Sequence, residues 1–213
     1  NGLKNSSTFR GVSSSTFENY RPSEPDPSVI QSLNYQPEFQ KDVWDYLSSL
    51  VDKERVEDGI RAKHEMADTL RRIEARYGVK AEHVLGVWGV ESNFGQTLGK
   101  KDLFQSLATL SCFDRRQSYF RGEYANALKI VQNGDIAASD MKGSWAGAFG
   151  QTQFMPGTFL DLAVDFDGDG RRDLVNSKPD ALASTANFLK KRGYRSGEPW
   201  GYEVKIPSGF WGS

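Results

Sequence analysis

Residues 86–95 read GVWGVESNFG, an almost wholly apolar run that ends in one carboxylate, Glu91, with no basic residue beside it. Taking a charge out of water costs several kcal/mol, by order of magnitude, unless it is paired. Two readings of the placement are open. A helix ends at Glu91 and turns the carboxylate to water, or the acid is kept partly dry, which raises its pKa and lets it hold a proton near neutral pH. A protonated glutamate can give its proton to a leaving oxygen and then act as a base. On either reading Val84, Val87 and Trp88 mark a helix leading to Glu91. Ser92 and Asn93 follow as close polar groups, and Gly95 allows a sharp exit.

The helical period recurs on both sides of this run. From Val56, the apolar positions Ile60, Ala67, Leu70, Ile73 and Tyr77 step by threes and fours, which predicts one amphipathic helix closed by Gly78 as a C-cap. A helical region follows Gln36-Pro37. Leu103, Leu107 and Leu110 predict another helix; Phe120, Tyr124, Leu128 and Val131 predict a third that ends near Gly134. Residues 156–164 and 180–191 complete the set, with Pro156 and Asp180 as starts. Strand signals are sparse, and only YEVKIP at 202–207 alternates. Helices joined by Gly-rich loops make a mainly α fold, with the chemistry expected on the loops. The opening stretch, NGLKNSSTFRGVSSSTFENYRPSEPDP, is rich in Ser, Asn and Pro and predicts an extended arm, pinned by Phe9, Phe17 and Tyr20.

Composition narrows the classes further. The chain has 213 residues, 38% hydrophobic and 26% charged, enough for one domain or two small lobes. A net charge of −1 with dispersed Lys and Arg argues against a nucleic-acid partner. Two histidines, His64 and His83, are too few and too separated for a zinc site. The single cysteine, Cys112, forms no internal disulfide and is expected as a small core residue. No apolar run is long enough to predict a spanning helix. The start at Asn1 is read as that of a mature or trimmed chain.

Two further stretches carry chemistry. GSWAGAFGQTQFMPGTF, residues 143–159, sets Gly143, Gly147, Gly150 and Gly157 among amides and aromatics. Glycine lets backbone approach a ligand closely. Ser144, Gln151 and Gln153 offer hydrogen bonds, and Trp145, Phe149 and Phe154 offer flat faces, a mixture that suits a sugar. A glycine-rich packing turn is the plainer alternative. DFDGDGRRDLVNSKPD, residues 165–180, places Asp165, Asp167 and Asp169 at alternate positions, Gly170 sixth and Asp173 ninth, like the opening of an EF-hand loop. Asn176 stands twelfth, where a glutamate is usual, and Asp180 is placed to close a longer loop. An acidic surface turn without an ion is the alternative.

Taken in order, GVWGVESNFG, LATLSCFDRRQSYF, GSWAGAFGQTQFMP and AVDFDGDGRRDLVNS with DALASTANFL resemble the lytic murein transglycosylase B family, over about Gln36 to Pro207. The resemblance implies a lysozyme-like α domain with an inserted calcium loop and little β structure. It implies domains of 1–35 (arm), 36–207 (catalytic region, calcium loop 165–180) and 208–213 (chain end). It implies cleavage of the β-1,4 bond between N-acetylmuramic acid and N-acetylglucosamine in peptidoglycan, with one glutamate, Glu91, acting as acid and then as base. The product is a 1,6-anhydromuramic end, and no water is consumed. Ser144, Gln153, Phe154 and Tyr119 match substrate-binding positions. Asp165, Asp167, Asp169, the Arg171 carbonyl, Asp173 and Asp180 match the metal loop, which would hold a structural Ca2+ with no cofactor needed for chemistry.

The substrate implies the periplasm or cell envelope, with an outer-membrane anchor in a full-length protein left open, as are partners among cell-wall synthesis or divisome proteins. Family members continue past PSGFWGS with an asparagine and tyrosines lining the cleft, so the chain as given is expected to lack part of it. A hydrolytic muramidase, with a second carboxylate such as Asp114 or Asp140, and a non-catalytic peptidoglycan-binding module are the competing readings.

Overall fold

The computed structural model of the chain describes residues 3–33, 43–199, 201–205 and 209. It is mainly helical: α1 (Ser14–Asn19), α2 (Pro27–Ser32), α3 (Val43–Leu50), α4 (Lys53–Glu65), α5 (Ala67–Tyr77), α6 (Ala81–Ser92), α7 (Leu103–Phe113), α8 (Gln117–Gln132), α9 (Pro156–Leu162) and α10 (Lys178–Lys191). Two-residue strands β1 (Lys101–Asp102) and β2 (Lys142–Gly143) pair antiparallel, Lys101 opposite Gly143. The boundaries expected at 35/36 and 207/208, and the start expected at Gln36-Pro37, lie outside the described residues.

The side chains bury themselves in two clusters. One gathers Leu103, Leu107 and Leu110 of α7, Tyr124 and Leu128 of α8, and Phe149 and Phe159 from the segment that follows. The other gathers Leu70 and Ile73 of α5, Val84 and Trp88 of α6, Leu182 and Ala186 of α10, and Phe166. Each large apolar side chain so buried contributes about 1.5–3 kcal/mol. The last turn of α6 therefore belongs to the second cluster, while the Gly-rich loop belongs to the first.

The helix expected to run from Val56 to Tyr77 is two helices. Met66 (φ −103, ψ 16) ends α4 and begins α5. The apolar stripe changes partner there: α4 packs on α6, and α5 packs on α10. The C-cap is where the sequence puts it, with Gly78 at φ 71 donating its N–H to Glu74 O at 2.8 Å.

The opening segment differs from an extended arm. It holds a 3-10 turn (Ser7–Phe9), α1 capped by the Ser13 hydroxyl, and α2 capped by Asp26 with Pro27 in its first turn. Phe9, Phe17 and Val29 are buried, and Phe9 meets Phe17 edge-on at 5.4 Å and Tyr124 at 5.7 Å. One apolar anchor per short turn suffices to dock a polar segment on a large core. At the other end, residues 201–205 form no strand, and Tyr202 and Val204 are exposed. Alternation alone makes no strand without an edge to pair with, and Ile206 and Pro207 lie outside the described residues. Cys112 is exposed rather than buried, because the buried face of α7 runs through Leu107, Leu110 and Ser111.

Candidate active site

Glu91 sits in the last turn of α6. Beyond it, Asn93 (φ 49), Phe94 (φ 56) and Gly95 (φ 82) all take left-handed conformations. Asparagine and glycine accept this region readily, but a phenylalanine there is strained. Phe94 is held by its ring, which meets Trp88 edge-on at 5.6 Å and folds over Gly89, where a Cβ would come within 2.7 Å of it. The Ser92 hydroxyl donates to Trp88 O (3.2 Å) and accepts from Gly95 N (3.0 Å), closing the turn. The chain thus reverses directly behind Glu91 and leaves its side chain standing at the helix end.

The two readings of Glu91 both hold in part. Its side chain reaches solvent, yet the surrounding protein pushes its carboxyl above the ordinary glutamate value, and among the described residues no cation or hydrogen bond offsets this. The negative end of the α6 dipole acts in the same direction. Such a carboxyl keeps its proton to a higher pH than a free one.

The Gly-rich loop is built against this turn. β1, just after the exit from α6, pairs with β2, which opens the loop. Gly143 is required there, since a Cβ would lie 2.1 Å from Ala148 O. Ser144 N donates to Ala148 O (2.8 Å), and Ala148 N donates to the Ser144 hydroxyl (3.1 Å). That hydroxyl oxygen is engaged as an acceptor, so its proton is available to a ligand. Gln153, at φ 51, donates its amide to Gly150 O (2.9 Å) and Leu98 O (3.2 Å), which leaves Oε1 to accept. The Trp88 indole N–H donates to Gln151 Oε1 at 3.0 Å, tying α6 to the loop.

Phe154 is placed otherwise than a ligand-facing aromatic. It is 7% exposed, and its ring packs on Phe188 at 5.4 Å, so it supports the loop from the core side. Tyr119 is 45% exposed on the first turns of α8, edge-on to Phe120, with the Arg116 guanidinium 5.5 Å from its ring centre. Burial and the Glu123 carboxylate both raise its phenol. Asp114 and Asp140, the candidates for a second carboxylate, are engaged elsewhere: Asp114 accepts from Arg116 N (2.6 Å) and Asp140 from Asn176 Nδ2 (3.2 Å).

In the acidic loop, Asp165, Asp167 and Asp169 bring carboxylate oxygens within 4.8 Å of one another. Three carboxylates at that spacing are a donor set for a hard cation. Asp180 and Asp173 lie deeper. Asp180 is fully buried and accepts from Phe166 N (2.7 Å), Asp167 N (3.3 Å) and Asp173 N (2.9 Å). Asp173 accepts from Val175 N and Asn176 N. Arg171 is anchored by its guanidinium to Asp135 O (3.2 Å), and Arg172 pairs with the Asp135 carboxylate at 2.7 Å. These contacts pin the loop to the turn that follows α8.

Sequence reasoning missed Trp88 and Gln151 as partners. Trp88 reads as an ordinary core residue, and Gln151 as one of several loop amides. The signal was the pairing of a buried indole, which must find an acceptor, with an amide in the neighbouring loop. An apolar groove of about 430 Å³, lined by Val56, Ile60, Gly86, Val90 and Phe94, opens between α4 and α6. It lies on the Gly86–Val90 face of α6, turned away from Glu91 by helical spacing.

Comparison with known proteins bears on this arrangement. The model of the transglycosylase SLT domain family matches residues 1–212. Membrane-bound lytic murein transglycosylase B of Escherichia coli K12 is 35% identical over 171 residues, 78% of this chain and 47% of that protein. SltB3 of Pseudomonas aeruginosa, solved in complex with NAG-NAM-pentapeptide, is 48% identical with a TM-score of 0.88, over 94% of this chain and 54% of that one. The E. coli lytic transglycosylase Slt35, solved in complex with calcium, is 34% identical with a TM-score of 0.75, over 83% of this chain and 56% of that one. The chain spans about half the length of these relatives.

Proposed function

The chain belongs to the transglycosylase SLT family, and from that premise we propose that it is a lytic transglycosylase cleaving the β-1,4 MurNAc–GlcNAc bond of peptidoglycan with formation of a 1,6-anhydromuramic end. The observation that carries this reading is Glu91: a solvent-reachable carboxyl, raised by burial, with no charged partner among the described residues. In its protonated form Glu91 gives its proton to the glycosidic oxygen as the bond from C1 to that oxygen breaks. The substrate's own 2-acetamido carbonyl stabilises the positive charge at C1. Glu91, now ionised, takes the proton of the C6 hydroxyl, and that oxygen forms the new bond to C1. Water is neither consumed nor released. A retaining glycosidase would need a nucleophilic carboxylate about 5 Å from the acid; the acetamido group takes that part here.

The free proton of the Ser144 hydroxyl suits the acetamido carbonyl, and Gln153 Oε1 suits a sugar hydroxyl or N–H. Tyr119 supplies an exposed aromatic edge. Phe154 contributes by holding Gln153 from beneath. The complexes of SltB3 with NAG-NAM-pentapeptide and with NAG-anhNAM-pentapeptide support this substrate class and the anhydro product. That substrate supports a location in the periplasm or cell envelope. None of the described helices is long and apolar enough to cross a membrane.

The acidic loop fits a calcium ion, with Asp165, Asp167 and Asp169 as ligands at its mouth, the Arg171 carbonyl in seventh position, and Asp173 and Asp180 ordering the backbone behind them. Calcium held there would screen the mutual repulsion of the carboxylates and so stabilise the fold, and the proposed acid–base steps would not call on it. The calcium complex of Slt35 supports the assignment.

The test is a digest of purified peptidoglycan with products identified by mass, for this chain and for Glu91→Gln. Muropeptides lighter by one water than hydrolytic products, absent with the variant, support the reading. Ordinary reducing ends would make the protein a muramidase; binding without product, both from this chain and from one extended at its C-terminus, would make it a glycan-binding module.

A further inference from the structure

Gln151 occupies the joint between the catalytic helix, the Gly-rich loop and the exit from the acidic loop. It is 4% exposed. Its Oε1 accepts from Trp88 Nε1 (3.0 Å), its Nε2 donates to Val175 O (2.9 Å), and its backbone N donates to Leu174 O (2.8 Å). The partners fix the amide's orientation, since the indole can only donate and the carbonyl can only accept. Trp88, 1% exposed, stands three residues before Glu91, and its carbonyl receives the Ser92 hydroxyl that closes the turn. Gly95 stands four residues after Glu91, so close to the same amide that a Cβ would lie 2.6 Å from Gln151 Oε1. One side chain thus touches the chain on both sides of the proton donor while being anchored to Leu174 and Val175.

We propose that Gln151 is a positioning residue for Glu91: it clamps the last turn of α6 and the reversal behind it, and so sets where the carboxyl stands. The residue types leave little choice. A glutamate could accept from the indole but could not donate to Val175 O; a methionine could do neither, and would strand both partners. The catalytic consequence rests on the transglycosylase reading above. The placement of the carboxyl does not.

The experiment uses the whole chain with carbon-13-labelled glutamate, the Glu91 carboxyl signal being assigned by its loss in Glu91→Gln. The carboxyl is titrated by NMR in wild type, Gln151→Met, Trp88→Phe and the double variant, each checked for a dispersed amide spectrum. Release of the clamp lets the partly desolvated Glu91 carboxyl move further into water. Its titration should therefore fall toward the ordinary glutamate value in either single variant, and no further in the double. On peptidoglycan strands, kcat should fall about 10- to 100-fold, as small misplacements of a reacting group do, with KM changed less than about twofold. A Glu91 titration that stays at its wild-type value in folded Gln151→Met, or in Trp88→Phe should Gln151→Met fail to fold, overturns the proposal. A wild-type chain that yields no anhydro product would instead sink the proposed reaction, and the titration would still decide whether Gln151 governs the carboxyl.

Discussion

The last turn of α6 and the first turn of α10 each hold a carboxyl that burial pushes upward, Glu91 and Asp180. They differ in what meets the oxygens. Asp180 is wholly enclosed and saturated by three backbone N–H groups from residues 166, 167 and 173. It holds a loop together, and its charge is spoken for. Glu91 stands at the negative end of its helix, and among the described residues no hydrogen bond or cation satisfies it. A saturated carboxylate is a structural part; an unsatisfied one within reach of solvent is free to move a proton.

The comparison can be broken most decisively at Glu91. Replacing it with glutamine should lower the rate of glycan cleavage by about 10²–10⁴-fold, the range for losing a general acid or base, without lowering the melting temperature. Substantial residual activity would show that another group carries the proton. The mirror experiment is Asp180→Ala, which leaves the buried amides of Phe166 and Asp173 and the partly buried amide of Asp167 without an acceptor. At roughly 1–3 kcal/mol for each stranded group it should lower the melting temperature by about 10 °C or more. A variant that melts with wild type would mean that Asp180 is not the structural partner described.

Calcium sharpens the contrast from the loop side. At about a hundredfold excess over its dissociation constant it should add about 2.7 kcal/mol, read as a rise of several degrees in melting temperature over a chelator-treated sample. Equal melting curves would leave the loop as an acidic turn that binds no ion. The smallest effect is the pH dependence of Glu91. Its pKa is raised in the folded state, so the stability linked to it is intact below the unfolded value of 4.5 and is lost as pH rises through the folded value. Glu91→Gln escapes that loss. It should melt slightly above wild type near neutral pH and converge with it at about pH 4; a constant gap would mean that the carboxyl is not perturbed.

Much of this was legible in the sequence where a local rule governs. Gly78 ends α5 because an αL residue is needed there, and Leu70, Ile73 and Tyr77 share its buried face. Glu91 was visible as a charge at the end of an apolar run. The missing parts depend on tertiary partners. Met66 splits one periodic stripe because α4 and α5 face different helices. The polar opening segment folds because Phe9 and Phe17 find Tyr124, about a hundred residues away. Tyr202 and Val204 alternate without a strand to pair with. The sequence offers Phe154 as a ligand-facing ring, but its partner Phe188 lies in α10, and no local pattern announces that contact. The Trp88–Gln151 bond spans 63 residues, and only the buried indole's need for an acceptor hinted at it.

The most direct test of the central claim, that Glu91 closes the sugar on its own C6 oxygen without water, is a peptidoglycan digest run in water enriched in oxygen-18. The mechanism derived for Glu91 gives anhydromuramic ends that carry no label. Heavy oxygen at C1 of the released sugars would contradict it and identify hydrolysis.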